Sequence, residues 1–372
     1  MKFDISSSKL FAQLQMVSSI IAQKNTISIL ENVIFMVKGS TLTLKAADSE
    51  TMIQTSLEVE NVAGGDIEVG FDAKMLLGVI GNLPEQPITF EIEQEEEAYK
   101  LTIRTQSGVY SFVGVSAENF LPYTLEGDTT SFSLPTNMLL DAINQTSFAT
   151  GTDPIRPIMM GLCFDMKEDG LTVVATDAHR LAKYTNKSIK SKTPLLFVLP
   201  KKPAMLLKQL VGKYDGDISL SKDDKRVKME FDNVVLVTRM IEGQYPNYSA
   251  VIPAEHTTKI TIDKQAFVNV CKRVSVFGMQ IKFSISGNEI LVTTQDFDYA
   301  NRGEEKIACQ HEGQDITISF KANLLVEMLN IIPSDEVVMT MTDANHAGLI
   351  LPSENAENED LLMLLMPMYN ND

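Results

Sequence analysis

One short pattern, a strand followed at once by a helix, recurs along this chain and constrains its fold more than any other feature. The clearest copy covers residues 195–213: five apolar residues of strand length, a Pro-Lys-Lys-Pro segment, and apolar residues that recur at helical spacing. Pro203 suits the first turn of that helix, because its missing N–H would have no intrahelical partner there. No acidic residue occurs between Pro200 and Tyr214, so the helix is apolar on one face and basic on another.

The pattern is an internal repeat. A second set of units covers residues 66–80 and 315–329, and related units open each third of the chain at 2–11, 131–140 and 259–267. Matched positions are spaced almost evenly: Ile5, Leu134 and Ile262 are 129 and 128 residues apart. We predict three domains of about 125 residues, each with two half-copies. Their boundaries are placed at 1–127, 128–253 and 254–372, and the fold class is α+β with two helices packed on antiparallel sheets in each domain.

Composition bounds the class of protein. The 372 residues are 44% hydrophobic and contain no run of 18 apolar residues, so we expect a globular chain without a membrane span. The N-terminal segment lacks the apolar stretch of a secretory signal. Cys163, Cys271 and Cys309 are few and widely separated, which favours reduced, buried thiols over disulfides or zinc. We therefore expect a cytoplasmic protein.

The charge is unevenly distributed. A net charge of −17 argues against a nucleic-acid partner. The six predicted helices nevertheless carry 11 Lys and Arg against 4 acids, which leaves −24 for the rest of the chain. One interpretation is that the helices face a polyanion while the acidic remainder suppresses stray binding; the other is ordinary surface variation. The helices are predicted at 6–25, 72–83, 136–150, 200–213, 263–278 and 321–332.

Four other segments have specific structural predictions. We interpret 91–97 as a solvated acidic turn and 296–305 as a polar connection. Residues 108–115 are predicted to form a strand with an edge open to pairing with another chain. The terminal run 361–368 is apolar on both faces, as a buried strand would be.

A catalytic function has little support in the sequence. There is no HExxH, paired CxxC or GxSxG motif, no ligand set for a metal and no cofactor loop. Asp177 and His179 could form an acid–base pair in a repeat-built enzyme, although such a run is more often a hydrogen-bonded turn. A third possibility is an acidic scaffold protein that never touches DNA. The Met-Pro-Met run at 366–368 indicates either core packing or an adaptable binding surface.

Over its whole length the chain resembles the bacterial DNA polymerase III beta subunit, the sliding clamp. The resemblance rests on residues 1–3 (MKF), 174–182 (VATDAHRLA), 245–248 (YPNY), 251–253 (VIP) and 366–368 (MPM), in family order. It implies the DNA-clamp fold, in which two three-domain chains close into a six-domain ring around duplex DNA, and a processivity factor without catalytic activity. Twelve helices, each ~10 Å wide and set side by side, would leave a hole of roughly 28 Å.

The resemblance also implies a peptide groove between the second and third domains. Its partners would be the DNA polymerase III alpha subunit, the clamp loader delta subunit and other proteins with a clamp-binding motif. Two positions depart from the family: Ala178 stands where glycine is frequent, and Ala250 where arginine is common. The groove residues would be Met159, Thr176, Ala178, His179, Arg180, Leu181, Pro246, Val251, Leu364, Met366, Pro367 and Met368.

Candidate DNA contacts come from two arguments. The resemblance gives Lys24, Lys201 and Lys202, and the helical pattern adds Lys208, Lys213, Lys272 and Arg273. Ring closure would join the first domain of one chain to the third domain of the other by a two-fold axis. We expect the strand at 108–115 to pair with a strand near 300–308 of the second copy. The residues expected there are Tyr110 and Phe112, with Lys74 and Arg104 facing Glu304 and Glu305.

Overall fold

The computed structural model describes residues 1–22, 24–95, 98–121, 123–212, 214–296 and 301–369. They group into two compact units. The first unit contains Met1–Thr136 and Met205–Met240, and the second contains Asn137–Ala204 and Ile241–Asp372. The domain boundaries at 127 and 253 stay a prediction.

The elements alternate in the order that the repeat predicts. The helices are α1 (Ser7–Ser18), α2 (Ala73–Ile80), α3 (Thr136–Thr146), α4 (Lys201–Val211), α5 (Lys264–Val274) and α6 (Ala322–Ile331). The strands are β1 (Lys2–Ser6), β2 (Asn32–Lys38), β3 (Thr41–Ala47), β4 (Thr51–Glu58), β5 (Glu60–Ala63), β6 (Ile67–Asp72), β7 (Pro87–Glu95), β8 (Ala98–Arg104), β9 (Val109–Ser116), β10 (Thr130–Pro135), β11 (Gly161–Lys167), β12 (Gly170–Thr176), β13 (Arg180–Asn186), β14 (Leu195–Pro200), β15 (Asp217–Lys222), β16 (Arg226–Phe231), β17 (Val234–Arg239), β18 (Thr258–Asp263), β19 (Gln280–Ser286), β20 (Glu289–Asp296), β21 (Asn301–Ala308), β22 (Gln310–Gly313), β23 (Ile316–Lys321), β24 (Glu336–Met341), β25 (Gly348–Pro352) and β26 (Glu359–Leu365).

The six predicted strand–helix units are confirmed, because each of these helices begins at the residue that follows a strand. The junction residue caps three of the helices. Ser6 accepts a hydrogen bond from the Lys9 amide at 3.2 Å, and Asp72 and Asp263 do the same for α2 and α5. Such caps satisfy amides that have no partner inside the helix, so the strand can turn directly into the helix.

The first unit is built on one antiparallel sheet of 13 strands, in the order β10-β15-β16-β17-β4-β3-β2-β6-β9-β8-β7-β1-β5. Helices α1 and α2 pack against each other and against this sheet. Leu10, Leu14 and Val17 of α1 are fully buried, as their helical spacing predicts. Aromatic rings stack in the core of this unit, and the ring centroids of Phe3 and Phe90 are 5.1 Å apart.

The second unit contains two antiparallel sheets. The larger has nine strands in the order β14-β11-β12-β13-β26-β25-β24-β18-β22, and the smaller has the order β21-β20-β19-β23. Helices α5 and α6 pack against each other over a core that includes Phe267, Phe283 and Phe320, all at most 1% exposed. In the ranges that the structure describes, no helix is long and apolar enough to cross a membrane.

Several expectations differ from the structure. The prediction of an acidic turn at 91–97 is wrong for residues 91–95, which belong to β7. The prediction of a polar connection at 296–305 is wrong for residues 301–305, which belong to β21. In both places strand pairing overrides local polarity, because an edge or solvent-facing side chain can be charged without breaking the ladder. The first helix ends at Ser18 rather than at residue 25, because the amide and hydroxyl of Ser19 bond back to the Met16 carbonyl.

Candidate peptide groove and nucleic-acid interface

The predicted groove is centred on a tight turn between β12 and β13. The Asp177 carboxylate accepts hydrogen bonds from the backbone amides of His179 at 2.9 Å and Arg180 at 3.0 Å. The Thr176 hydroxyl donates to the Arg180 carbonyl at 2.7 Å and accepts from the Ala178 amide at 3.1 Å. Asp177 therefore bonds the backbone of His179 and not its ring, which fits the hydrogen-bonded turn better than the acid–base pair.

Ala178 at the tip of the turn has an unusual backbone. Its φ is +75°, in the left-handed region that an alanine rarely adopts. The hydrogen bonds on either side hold it there, since both Thr176 and Asp177 are anchored to residue 180 or its neighbours. Ala178 and His179 are exposed as a result, and they present the outer surface of the turn.

Arg180 fixes the base of the turn. Its side chain is only 9% exposed, and it donates to Asp177 at 3.1 Å and to Glu327 of α6 at 2.5 Å. It also donates to the Phe148 carbonyl at 2.7 Å and lies over the Phe148 ring, 5.1 Å from its centroid. The planar guanidinium can satisfy all of these partners at once, which a lysine could not. Arg180 therefore joins the turn to α6 and to the segment that follows α3.

An apolar floor lies beside the turn. Leu181 of β13 pairs with Leu364 of β26, and both side chains are at most 3% exposed. They belong to one cluster with Cys163, Val174 and Val198, and Tyr245 packs on the same cluster. Burial raises the pKa of Tyr245, and its hydroxyl donates to the Val174 carbonyl at 3.3 Å. The floor is therefore apolar and almost fully buried.

The remaining residues predicted for the groove differ in exposure. The amide of Met366 donates to the His179 carbonyl at 2.9 Å, so the Met-Pro-Met segment begins beside the turn. Met366 is 41% and Val251 is 56% exposed. Met159 is half-buried, and its carbonyl accepts from the Gly151 amide at 2.8 Å. Pro246, Pro367 and Met368 are half-buried as well. Contacts from Met159, Pro246 and Val251 to the turn stay a prediction.

The candidate DNA contacts lie on different elements. Lys24 is exposed but lies beyond the end of α1, while Lys201, Lys202 and Lys208 lie on α4. Lys272 and Arg273 are exposed in the last turn of α5. Arg273 is held by Glu305, with Nη2 to Oε2 at 2.6 Å, and its guanidinium lowers the pKa of the Glu305 carboxyl. Lys213 lies outside the described residues.

Three of the four charged residues expected at a second copy have ion-pair partners within the chain. Arg104 donates to Glu91 at 2.8 Å, and Glu304 accepts from Arg302 at 2.7 Å. Glu305 binds Arg273, and Lys74 is exposed. Contacts of these side chains with another copy would replace or share the bonds seen here, and they stay a prediction.

Of the two β9 residues expected at a second copy, Tyr110 is half-buried and Phe112 is buried. Burial alternates along β9. Phe112 is 9% exposed, because the even-numbered side of the strand faces the core. The exposed row is Val109, Val113 and Val115, at 58%, 76% and 42%. Both rows are apolar in the sequence, so alternation alone did not identify the outward one. Residues 109–114 of β9 pair with β8, and its last two residues pair with β6. β21 pairs only with β20 among the strands described.

Three parts of the chain resemble the three domains of one known protein family. Three family models match the chain in order: the N-terminal domain of the DNA polymerase III beta subunit at residues 1–124, its central domain at 133–247 and its C-terminal domain at 249–369. The chain belongs to the DNA polymerase III beta subunit family. This family is that of the sliding clamp, a polymerase processivity factor and not an enzyme.

Individual relatives agree over nearly the full length. The beta sliding clamp of Pseudomonas aeruginosa is 25% identical over 375 residues, which is 99% of this chain and 100% of the relative. That of Synechococcus elongatus is 26% identical over 362 residues, covering 94% of this chain and 95% of the relative.

Solved structures show the same fold. The DNA polymerase III subunit beta of Pseudomonas aeruginosa superposes with a TM-score of 0.92 at 23% identity, over 99% of this chain and 100% of the other. The beta subunit of Streptococcus pyogenes DNA polymerase gives 0.92 at 19% identity, over the whole of both chains. The three-domain DNA-clamp fold expected from the sequence is thereby confirmed.

In the part of the chain that the structure describes, no group of three His, Cys, Asp or Glu side chains could hold a metal ion. The three cysteines are buried free thiols, and burial raises the pKa of Cys163 to about 12.

Proposed function

We propose that this protein is a cytoplasmic DNA sliding clamp: two copies close into a ring around duplex DNA and tether the replicative polymerase to its template. The observation that carries the proposal is the match of all three parts of the beta subunit family, in order, over residues 1–369. Retention would come from topology, because a closed ring cannot leave the duplex sideways.

DNA contacts in such a ring need no sequence specificity. Exposed cations such as Lys208 and Lys272 can approach phosphates, and contacts of this kind are weakened by salt and tolerate any sequence. Loose phosphate contacts allow the ring to slide, whereas bidentate base contacts would hold it in one register. The acidic remainder of the chain would limit binding of DNA elsewhere on the surface.

Two open strand edges support the closure of the ring by a second copy. Residues 109–114 of β9 have a described strand on one side only, and β21 is an edge of its sheet. Unpaired edges are templates for pairing with another chain. We infer that β9 of one copy pairs with β21 of the other, with Val109, Val113 and Val115 covered in the process. A two-fold axis would make the two junctions identical.

The turn at 176–180 and the floor beside it would receive short peptide motifs. The partners proposed are the DNA polymerase III alpha subunit, the clamp loader delta subunit and repair proteins with a clamp-binding motif. Support comes from the buried apolar floor at Leu181 and Leu364 and from the exposed, conformationally adaptable side chain of Met366. Apolar anchor residues of a peptide are favoured by such a surface.

The deciding experiment compares retention on circular and linear DNA. The protein is loaded by the cell's own clamp loader with ATP onto a nicked circular duplex, and half of the sample is then linearised by a restriction enzyme. We expect retention on the circle, loss from the linear form, and retention again when both ends are blocked by bound proteins. Equal loss from circular and linear DNA would refute the ring, and so would a failure to bind either form, which is expected of a scaffold protein.

A further inference from the structure

A second pocket lies in the first unit, on the face of the sheet opposite α1. Its volume is about 730 Å³, and lining residues between 117 and 121 and between 123 and 125 form one wall, so we call it the 117–125 pocket. Thr55 of β4 bonds Gln13 of α1 at 2.7 Å, whereas Met52 and Gln54 alternate with it and line the pocket. The other lining residues come from β3, β6, β16 and β17.

The floor of this pocket repeats the floor of the peptide groove. Met52 pairs with Val237, and Leu181, which lies 129 positions after Met52, pairs with Leu364. The whole ladder β2-β3-β4 has the same register as β11-β12-β13 when shifted by the same number. Each floor therefore lies at the same place in the internal repeat.

The turn beside each floor is repeated as well. Asp48 accepts from the amides of Glu50 at 2.9 Å and Thr51 at 2.8 Å, as Asp177 does in the groove. The Arg239 amide donates to the Glu50 carbonyl at 2.9 Å, and the Met366 amide donates to the His179 carbonyl at the same distance. Both the backbone of the turn and its link to the neighbouring strand are therefore conserved within the repeat.

The pocket keeps an apolar interior and an open mouth. Met52 and Tyr123 are each 7% exposed and pack with Val237. The Tyr123 hydroxyl donates to the Asp48 carbonyl, which ties the covering segment to the turn. Leu121 is 46% exposed at the mouth. The volume falls in the range of ligand pockets, which suits a few large side chains and not a protein domain.

The charges around the mouth select the ligand. Lys45 pairs with Glu68 at 3.2 Å, and Lys228 pairs with Glu230 at 2.9 Å, so these four lining residues neutralise one another. Glu118 is exposed and forms no ion pair with any residue that the structure describes. A cation on the ligand would compensate that single charge.

We propose that the 117–125 pocket is a second docking site, for a short peptide segment that carries large apolar side chains beside a lysine or arginine. The inference takes the groove of the proposed function as its template. Its geometry belongs to the first unit alone, and it is tested separately.

The test uses the full-length protein labelled with ¹³C at the methionine methyls. Two acetylated, amidated hexapeptides, Ser-Lys-Leu-Phe-Lys-Ser and Ser-Glu-Leu-Phe-Glu-Ser, are titrated at low salt. We expect a saturable shift of the Met52 methyl signal and at least tenfold tighter binding of the lysine peptide. Leu121→Asp should abolish the shift, and Leu196→Asp, at a site of similar exposure in the second unit, should leave it unchanged. Glu118→Lys should reverse the preference between the peptides.

A Met52 signal that neither peptide moves would overturn the proposal, and so would a preference that Glu118→Lys leaves unchanged. Met366 reports on the peptide groove in the same spectra. A shift of Met366 without one of Met52 removes the 117–125 pocket and keeps the groove, whereas the reverse keeps the pocket and removes the groove.

Discussion

Replacing Arg180 with alanine should destabilise the second unit far more than replacing its partner Glu327 with glutamine. Arg180 is 9% exposed and holds Asp177, Glu327 and the Phe148 carbonyl, with hydrogen bonds of 2.5 to 3.1 Å. Truncation removes the guanidinium donor from the partly buried Phe148 carbonyl and from the Asp177 carboxylate, which is 21% exposed, and the loss of one partner of such a network costs up to about 3–5 kcal/mol.

The cost at Glu327 is expected to be small. Its side chain is 48% exposed, so water can replace the lost charge interaction, and exposed ion pairs contribute about 0–1 kcal/mol. Arg180→Lys should fall between the two variants, because an ammonium keeps the charge but cannot reach all three acceptors with a planar fork.

Urea unfolding measures the stability of both variants, and hydrogen exchange measures the protection of individual amides. The chain has more than one unit, so a single two-state transition is not assumed. We expect the urea midpoint of the second unit to fall sharply in Arg180→Ala and only slightly in Glu327→Gln. The amides of His179 and Arg180, which bond Asp177, should exchange faster in Arg180→Ala. Equal losses in both variants would show that the guanidinium does not anchor the turn.

Three further predictions test other parts of the structure. Val113→Asp should dissociate the proposed dimer in sedimentation without unfolding the chain, whereas Phe112→Asp should unfold the first unit, because it places a charge in the core. Ala178→Gly should stabilise the folded chain by about 0–1 kcal/mol, because glycine adopts a φ of +75° without strain. Lys272→Ala should reduce the salt dependence of direct binding to duplex DNA more than Arg273→Ala, because Glu305 already binds Arg273.

Matched variants sharpen these tests. Ile155→Asp changes a residue that is 88% exposed and should leave the dimer intact. Ala266→Gly, in the first turn of α5, should lower stability by roughly 0.5–1 kcal/mol, in contrast to Ala178→Gly. A dimer that survives Val113→Asp, a loss of stability in Ala178→Gly, or equal salt dependence for the two cation variants would contradict the corresponding prediction.

Local signals were sufficient to predict the six strand–helix units. Each depends on an apolar strand, a capping or turn residue, and a helical period within about 15 residues, and such signals survive without knowledge of the tertiary contacts. The caps at Ser6, Asp72 and Asp263 show why the helices begin where they do.

Tertiary pairing decided what the sequence could not. β13 begins at Arg180, and a buried arginine is an unusual first residue for a strand. It forms a strand because it pairs with β12 on one side and β26 on the other. β21 is polar along most of its length, and its pairing with β20 makes it a strand. In β9 both faces are apolar, so only the folded sheet determines that Phe112 points inward and Val113 outward.

The repeat also bears on how the two proposed sites, with one framework, would recognise different ligands. The backbone of the turn and the register of the strands are common to both, so these features set where a pocket forms. The position that corresponds to Arg180 is Thr51, whose hydroxyl lies 2.8 Å from that of Thr238. A guanidinium that reaches α6 is thus replaced by a neutral pair confined to two strands. Arg180 is paired with Asp177 and Glu327, whereas at the 117–125 pocket Glu118 is the lining charge without an ion-pair partner among the residues described. The two sites therefore share a backbone framework and differ in the side chains that anchor the turn and line the floor.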